Sequence, residues 1–266
     1  MHSPALYRKP LTPAIIAGVL LSCTASLLLA QHAGDIYLER NYENRICTAR
    51  VDPDTAAIVH NTRVFAAEFG ESPNFTNDPG MDSEVGTFAP GTSIGFTIRK
   101  ALRKWDGADF DLIPPEQISI RLATLGPVLT PLMDTPVTGF AMPVSSAGEF
   151  HRHPGFTLTS PASTGVYLLE LELWSTEGGV TSSYPYWLVF NQNDSEVNHT
   201  SAIEWVRLNL VGCPSDFDAS GFSDTDDFDA FVLAYEAGDF TADVDGTGFV
   251  DTDDFDFFVR AFESGC

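Results

Sequence analysis

Hydrophobic and polar positions alternate with a period of two through the middle of the chain. Ile94, Phe96 and Ile98 alternate with Gly95, Thr97 and Arg99, and Ile118, Ile120 and Leu122 with Ser119 and Arg121. Tyr167, Leu169, Leu171 and Leu173 define one side of a segment whose other side carries Glu170 and Glu172. Successive side chains of extended backbone point to opposite faces, so each run predicts a strand with one buried face. Residues 186–190, Tyr-Trp-Leu-Val-Phe, are apolar on both faces and predict a central strand. Turn signals separate the runs: Asn77-Asp78-Pro79-Gly80, Pro90-Gly91, Pro114-Pro115, Pro127 and Glu177-Gly178-Gly179. Many short strands joined by Gly and Pro turns predict a mainly β sandwich over residues 34–211. One helix closes it: Ser201 with Glu204 makes a capping-box pattern, and Ile203, Val206 and Leu210 share a face.

Beyond Gly212-Cys213-Pro214 the period changes. Phe228, Phe231, Val232 and Tyr235 fall at i, i+3, i+4 and i+7, and Phe255, Phe258, Val259 and Phe262 repeat the stripe 27 residues later. The preceding segments match at the same offset: Asp216-Phe217-Asp218 with Asp243-Val244-Asp245, and Asp224-Thr225-Asp226-Asp227-Phe228 with Asp251-Thr252-Asp253-Asp254-Phe255. This is one unit written twice, a loop followed by an amphipathic helix.

Charge sharpens that picture. The 266 residues carry 37 acids and 14 Lys plus Arg, a net of -23. Such a balance argues against nucleic acid and anionic membranes as partners, since both require a basic face. Residues 213–266 hold 15 of the acids and one base, Arg260, together with ten of the 20 Phe. Disordered acidic tails are poor in aromatics, so the composition predicts a small fold whose carboxylates have a task.

The spacing suggests the task. A calcium ion takes six to eight hard oxygens, and a twelve-residue loop supplies them from positions one, three, five, seven, nine and twelve, with Gly at six. In the first copy these are Asp216, Asp218, Ser220, the Phe222 carbonyl, Asp224 and Asp227, with Gly221 at the turn. In the second they are Asp243, Asp245, Thr247, the Phe249 carbonyl, Asp251 and Asp254, with Gly248. Ser220 and Thr247 stand where a carboxylate is usual, and Asp227 and Asp254 replace the final Glu. Two calcium ions are expected, with folding of residues 212–266 linked to their binding. The alternative is a pair of Asp-capped helices without metal.

Two loops, each with only an exiting helix, resemble a dockerin. The Gly212-Cys213-Pro214 entry and the Ser264-Gly265-Cys266 ending are similar to the Gly-Cys-bounded dockerin-type module of secreted planctomycete proteins. The resemblance covers about a fifth of the chain. It implies an EF-hand-like calcium module that attaches to a cohesin-like or other surface protein, sometimes within polysaccharide-degrading systems. Cys213 and Cys266 bracket the module, and a disulfide between them would clasp its ends, a constraint worth roughly 4 kcal/mol in the chain-entropy picture. Cys47 is then left over.

The N-terminus, with Arg8 and Lys9 before the apolar run 14–30 and small residues at its end, fits a secretory signal peptide over 1–33. The mature chain is then expected outside the cell or at its surface, with no spanning segment; an uncleaved anchor, or lipidation at Cys23, is the alternative.

In the middle domain, Glu149, His151 and His153 have i, i+2, i+4 spacing and would share one face of a strand. Two imidazoles and a carboxylate could hold zinc or copper, with His199 or Glu170 as a fourth ligand; a solvated polar face is the alternative. The stretch from His151 to Glu172 also resembles a pattern of bacterial surface-anchored proteins, which implies an extracellular anchored β-domain. Gly91-Thr92-Ser93-Ile94-Gly95 matches G-x-S-x-G, but a nucleophile elbow needs a helix after it and here a strand follows. Trp174, Tyr184, Tyr186, Trp187 and Trp205 could stack on sugars or pack in the core. The expected function is a secreted non-catalytic protein with a calcium-dependent attachment module. The alternatives are an extracellular zinc- or copper-binding protein and a carbohydrate-active enzyme acting on polysaccharide.

Overall fold

The computed structural model describes residues 34–212, 214–218, 223–245 and 247–264. They form a β-rich part with a small helical part at its end.

The largest sheet has six strands. Its order runs β11 (Val137–Pro143), β7 (Ser93–Ile98), β14 (Gly165–Ser175), β15 (Tyr186–Gln192), β4 (Val64–Glu68), with β8 (Arg103–Lys104) also on β14. A second sheet orders β12 (His151–Arg152), β6 (Met81–Asp82), β1 (Ile36–Arg40), β2 (Ile46–Val51) and β3 (Ile58–Val59). A third orders β10 (Leu125–Leu129), β9 (Ile118–Leu122), β13 (Gly155–Leu158) and β5 (Phe75–Thr76). Most pairings are antiparallel, but β15 with β4 and β1 with β6 are parallel, so segments distant in sequence lie side by side.

The strand patterns read in the sequence explain the layering. Tyr167, Leu169, Leu171 and Leu173 of β14 enter one core together with Ile36 and Leu38 of β1 and Ile118 and Ile120 of β9, so all three sheets share it. The doubly apolar strand β15 divides its side chains. Tyr186, Leu188 and Phe190 point into that core, whereas Trp187 and Val189 face a second cluster under helix α1 (Glu196–Asn209) with Ala202 and Val206.

Helix α1 starts earlier than its sequence pattern suggests. Ser195, not Ser201, is the N-cap, and its side chain accepts the Asn198 N–H. The poor helix formers 198–201 are recruited because His199 and Ala202 are buried against the sheet, and packing outweighs propensities of a few tenths of a kcal/mol, roughly. The G-x-S-x-G segment enters β7 as a strand. A Cβ on Gly95 would lie 2.2 Å from the Trp174 ring, so Gly95 serves close packing of an indole.

Helices α2 (Thr225–Ala237) and α3 (Thr252–Ser264) carry the repeated stripes. Phe231 and Phe258 stack face to face with centroids 4.0 Å apart, and Phe217, Phe228, Tyr235, Phe255 and Phe262 pack around them. Loop residues Val244 and Val250 join this cluster, while Val259 is half-buried outside it. Gly238 closes α2 in the left-handed region with φ 64°, which a residue without Cβ adopts freely.

The helical part rests on the β1–β3 end of the second sheet. Asn61 Nδ2 donates to the carbonyls of Phe240 and Thr241, the Tyr42 N–H donates to Asp239, and the His60 ring stacks on Phe240 at 4.7 Å. Arg63 reaches from β4's start to donate to the carbonyls of Pro185 and Val211. Its burial lowers the guanidinium to about 10, against the raising effect of nearby Tyr184 and acids.

Cys47 is buried in β2, and burial, with Glu39 and Asp239 adding to it, pushes its thiol up to about 12. It is therefore a neutral core residue near pH 7. Iodoacetamide at pH 8 is expected to leave the Cys47 peptide unlabelled in the native chain and to label it in urea, read by peptide mass spectrometry. Labelling of the native chain would contradict this burial.

Candidate metal centres

In the first loop, carboxylate oxygens of Asp216, Asp218 and Asp227 lie within 4.8 Å of one another, and in the second those of Asp243, Asp245 and Asp254 do the same. The two copies share their internal bonding. Asp227 accepts the Asp218 N–H on Oδ1 at 2.9 Å and the Asp224 N–H on Oδ2 at 2.8 Å. Asp254 accepts the Asp245 N–H on Oδ1 at 3.2 Å and the Asp251 N–H on Oδ2 at 2.9 Å. The twelfth residue thus folds back over positions three and nine. The ninth, Asp224 or Asp251, accepts the N–H two residues on, Asp226 or Asp253, at the helix start. A carboxylate is favoured there because the first helical N–H groups lack partners and carry the positive end of the dipole.

Thr247, Phe249 and Asp251 of the second loop are not among the three grouped carboxylates. The Gly248 N–H donates to Asp243, the Thr247 N–H to Asp245, and Thr247 Oγ1 approaches the Phe249 carbonyl at 3.5 Å, with the Phe249 ring exposed. Their first-loop counterparts Ser220 and Phe222 lie outside the described residues, as do Gly221, the signal segment 1–33 with Cys23, and the bracketing Cys213 and Cys266.

Asp227 and Asp254 are fully buried and Asp243 is 4% exposed. Among the described residues none of the three pairs with a basic side chain. The tail's only base, Arg260, is exposed on α3 with Asp256 at 3.7 Å. Asp243 Oδ1 is buried with no hydrogen-bond partner among the described residues. Burial pushes the Asp243 carboxyl above its ordinary range; the Gly248 N–H opposes this, and the Asp254 and Asp245 charges add to it. A cleft of about 610 Å³ lies between this part and the β1–β2 end, with Asp216, Asp218, Asp243 and Asp245 on one wall and Arg45 and Arg63 on the other.

No family model matches the chain, and no curated protein matches it.

The middle-domain histidines come together with a different acid from the one their spacing suggests. Asp35, His151 and His153 offer ligand atoms within 4.8 Å of one another, and Glu149 is not part of that group. Only His151 and Arg152 form strand β12, while Glu149 closes a turn in which the Ser145 N–H donates to its carbonyl. Its side chain consequently does not continue the face that a longer strand would have given it. His199 joins Glu68 and Glu196 in a separate group, its Nε2 within 2.9 Å of the Val189 carbonyl, and Glu170 pairs with Lys100 at 3.2 Å. The sugar-platform candidates disperse: Tyr186 and Trp187 are buried, Trp174 covers Gly95, Trp205 packs with Trp105 and Phe110, and Tyr184 lies under Arg45. Asp35 was invisible to the spacing argument because it sits 116 residues before His151; its one local sign is its place just ahead of an apolar strand.

Proposed function

We propose that this chain is a secreted, non-catalytic protein in two parts. Residues 212–266 bind two calcium ions through Asp216, Asp218, Ser220, Phe222, Asp224 and Asp227, and through Asp243, Asp245, Thr247, Phe249, Asp251 and Asp254. So loaded, they act as a dockerin-type attachment module toward a cohesin-like or other surface protein. Residues 34–211, which we read as a β sandwich, bind or present the ligand.

The observation that carries the calcium reading is the set of buried carboxylates Asp227, Asp243 and Asp254, with no basic side chain paired to them among the described residues. Buried charges are kept only when paired or bound to metal, and an all-oxygen set at these positions suits a hard cation. Attachment is supported by apolar side chains left exposed on the same part: Leu233, Phe249 and Phe257. No helix among the described residues is long and apolar enough to cross a membrane.

Calorimetric titration of the chelator-treated full chain tests the reading. Two calcium ions per chain are expected, with a higher melting temperature for the helical part. Saturation at about 100 times the dissociation constant adds about 2.7 kcal/mol for each site. No calcium uptake, or identical melting with and without calcium, would overturn it.

A further inference from the structure

Asp35, His151 and His153 meet because the second sheet folds three distant segments together. β6 lies between β1 and β12, with Ile36 opposite Met81 and His151 opposite Asp82. The residue before β1 and the residue after β12 are thereby brought to the same end of the sheet.

Each side chain is held from behind. Asp35 is 6% exposed, and its Oδ1 accepts the Gly80 N–H at 2.8 Å. His151 sets Nδ1 3.2 Å from Asp82 Oδ1. His153 sets Nδ1 3.3 Å from the Asn77 carbonyl and 3.4 Å from Asp78 Oδ1. Its Nε2 lies 3.5 Å from Asp35 Oδ2. A Cβ on Gly80 would stand 2.4 Å from His153 Cε1, so this glycine is what lets the imidazole lie against the backbone.

These contacts supply what a metal-ligating pair of histidines requires. A ligating imidazole gives one nitrogen to the ion and donates its other N–H to a carboxylate or a carbonyl, which fixes tautomer and ring direction. Here both Nδ1 atoms have such partners. The separation of His153 Nε2 from Asp35 Oδ2 is long for a hydrogen bond. Two ligands each about 2.1 Å from a tetrahedral ion stand about 3.4 Å apart, close to what is found. Imidazole nitrogens select a transition ion over calcium. Asp35 and His153 also line a cleft of about 590 Å³ whose other acids are Glu68, Glu71, Asp78 and Glu196.

We propose that Asp35, His151 and His153 bind one zinc-class divalent ion, with a further coordination position open to this cleft. Three protein ligands plus an open position give a centre that can take water or an anionic group. Asp82, Asn77 and Gly80 are positioning residues.

The test uses the full chain in excess calcium, so that hard-ligand sites are saturated before Co²⁺ and then Zn²⁺ are added. One equivalent of Co²⁺ is expected, with a ligand-field absorption band that Zn²⁺ displaces. His151→Ala and His153→Ala should each weaken binding at least about 100-fold, and Asp82→Asn about 10–100-fold. Glu149→Gln should leave it unchanged. In the wild-type chain, two-bond ¹H–¹⁵N spectra should show zinc shifting Nε2 of His151 and His153, which keeps the test valid if a variant fails to fold. No stoichiometric uptake, uptake unchanged in both histidine variants, or shifts confined to His199 would overturn the proposal. These imidazole signals are independent of whether residues 212–266 take calcium.

Discussion

Replacing Asp227 and Asp254 together by Ala is expected to abolish calcium uptake and to leave residues 212–266 without stable helices, while the β-rich part melts as before. Each carboxylate has two roles at once. It accepts two backbone N–H groups, from Asp218 and Asp224 in one loop and from Asp245 and Asp251 in the other. It also stands, fully buried, among the acids that the ion is proposed to neutralise. Losing a capping side chain costs about 0.5–2 kcal/mol per helix. The lost linkage to calcium adds to this, and a unit of some 50 residues has little stability in reserve. Asp227→Asn with Asp254→Asn separates the roles. An amide oxygen still accepts one N–H but carries no charge, so uptake should fall sharply even where some helix survives. Far-UV circular dichroism with and without calcium, paired with calorimetry of the full chain, reads both quantities. A double Ala variant that still takes two ions would sink the ligand assignment.

Phe258→Ala is expected to destabilise the helical part by about 3–5 kcal/mol, enough to unfold it even in calcium. Phe258 is fully buried, stacked on Phe231 at 4.0 Å with the rings 7° from parallel, and it also meets Phe217, Phe228 and Phe262. Removing the ring leaves a cavity in the middle of the contact between the repeats, where Phe217, Phe228 and Phe231 of the first meet Phe258 of the second. Phe257→Ala is the control. That ring is 42% exposed, so its loss should change stability by about 0.5 kcal/mol or less. Limited proteolysis of the two variants in calcium should cut residues 212–266 rapidly in Phe258→Ala and at the wild-type rate in Phe257→Ala. Equal resistance would mean that the stacked pair does not hold the repeats together.

The contrast between these neighbours marks how far the sequence reaches. The i, i+3, i+4, i+7 stripe assigns Phe258 to the inner face and leaves Phe257 off it, because a helix turns about 100° per residue and side-chain direction is a local property. The same locality made the strands legible. Alternation around 94–98, 118–122 and 167–173 corresponds to β7, β9 and β14, and the doubly apolar run 186–190 corresponds to β15, which is covered on both faces. The 27-residue repeat likewise shows itself in matched bonds around Asp227 and Asp254.

What the sequence left open depends on distant segments. Alternation assigns faces but not neighbours, so nothing local announces that β15 takes β4 as a parallel partner, or that β6 separates β1 from β12. Glu149 was the acid nearest to His151 and His153 by spacing, yet a turn removes it, and sheet assembly brings in Asp35. Ser201 looked like a helix start, yet burial of His199 and Ala202 carries the helix back to Ser195. The seat of Asp239, Phe240 and Thr241 on Tyr42, His60 and Asn61 is equally a tertiary matter. The sequence by itself determined which backbone conformations and which buried faces are favourable, since these follow from a residue and its nearest neighbours. The tertiary structure decided which faces meet, because that depends on the burial of all of them at once, and it therefore decided which carboxylate stands beside the two imidazoles.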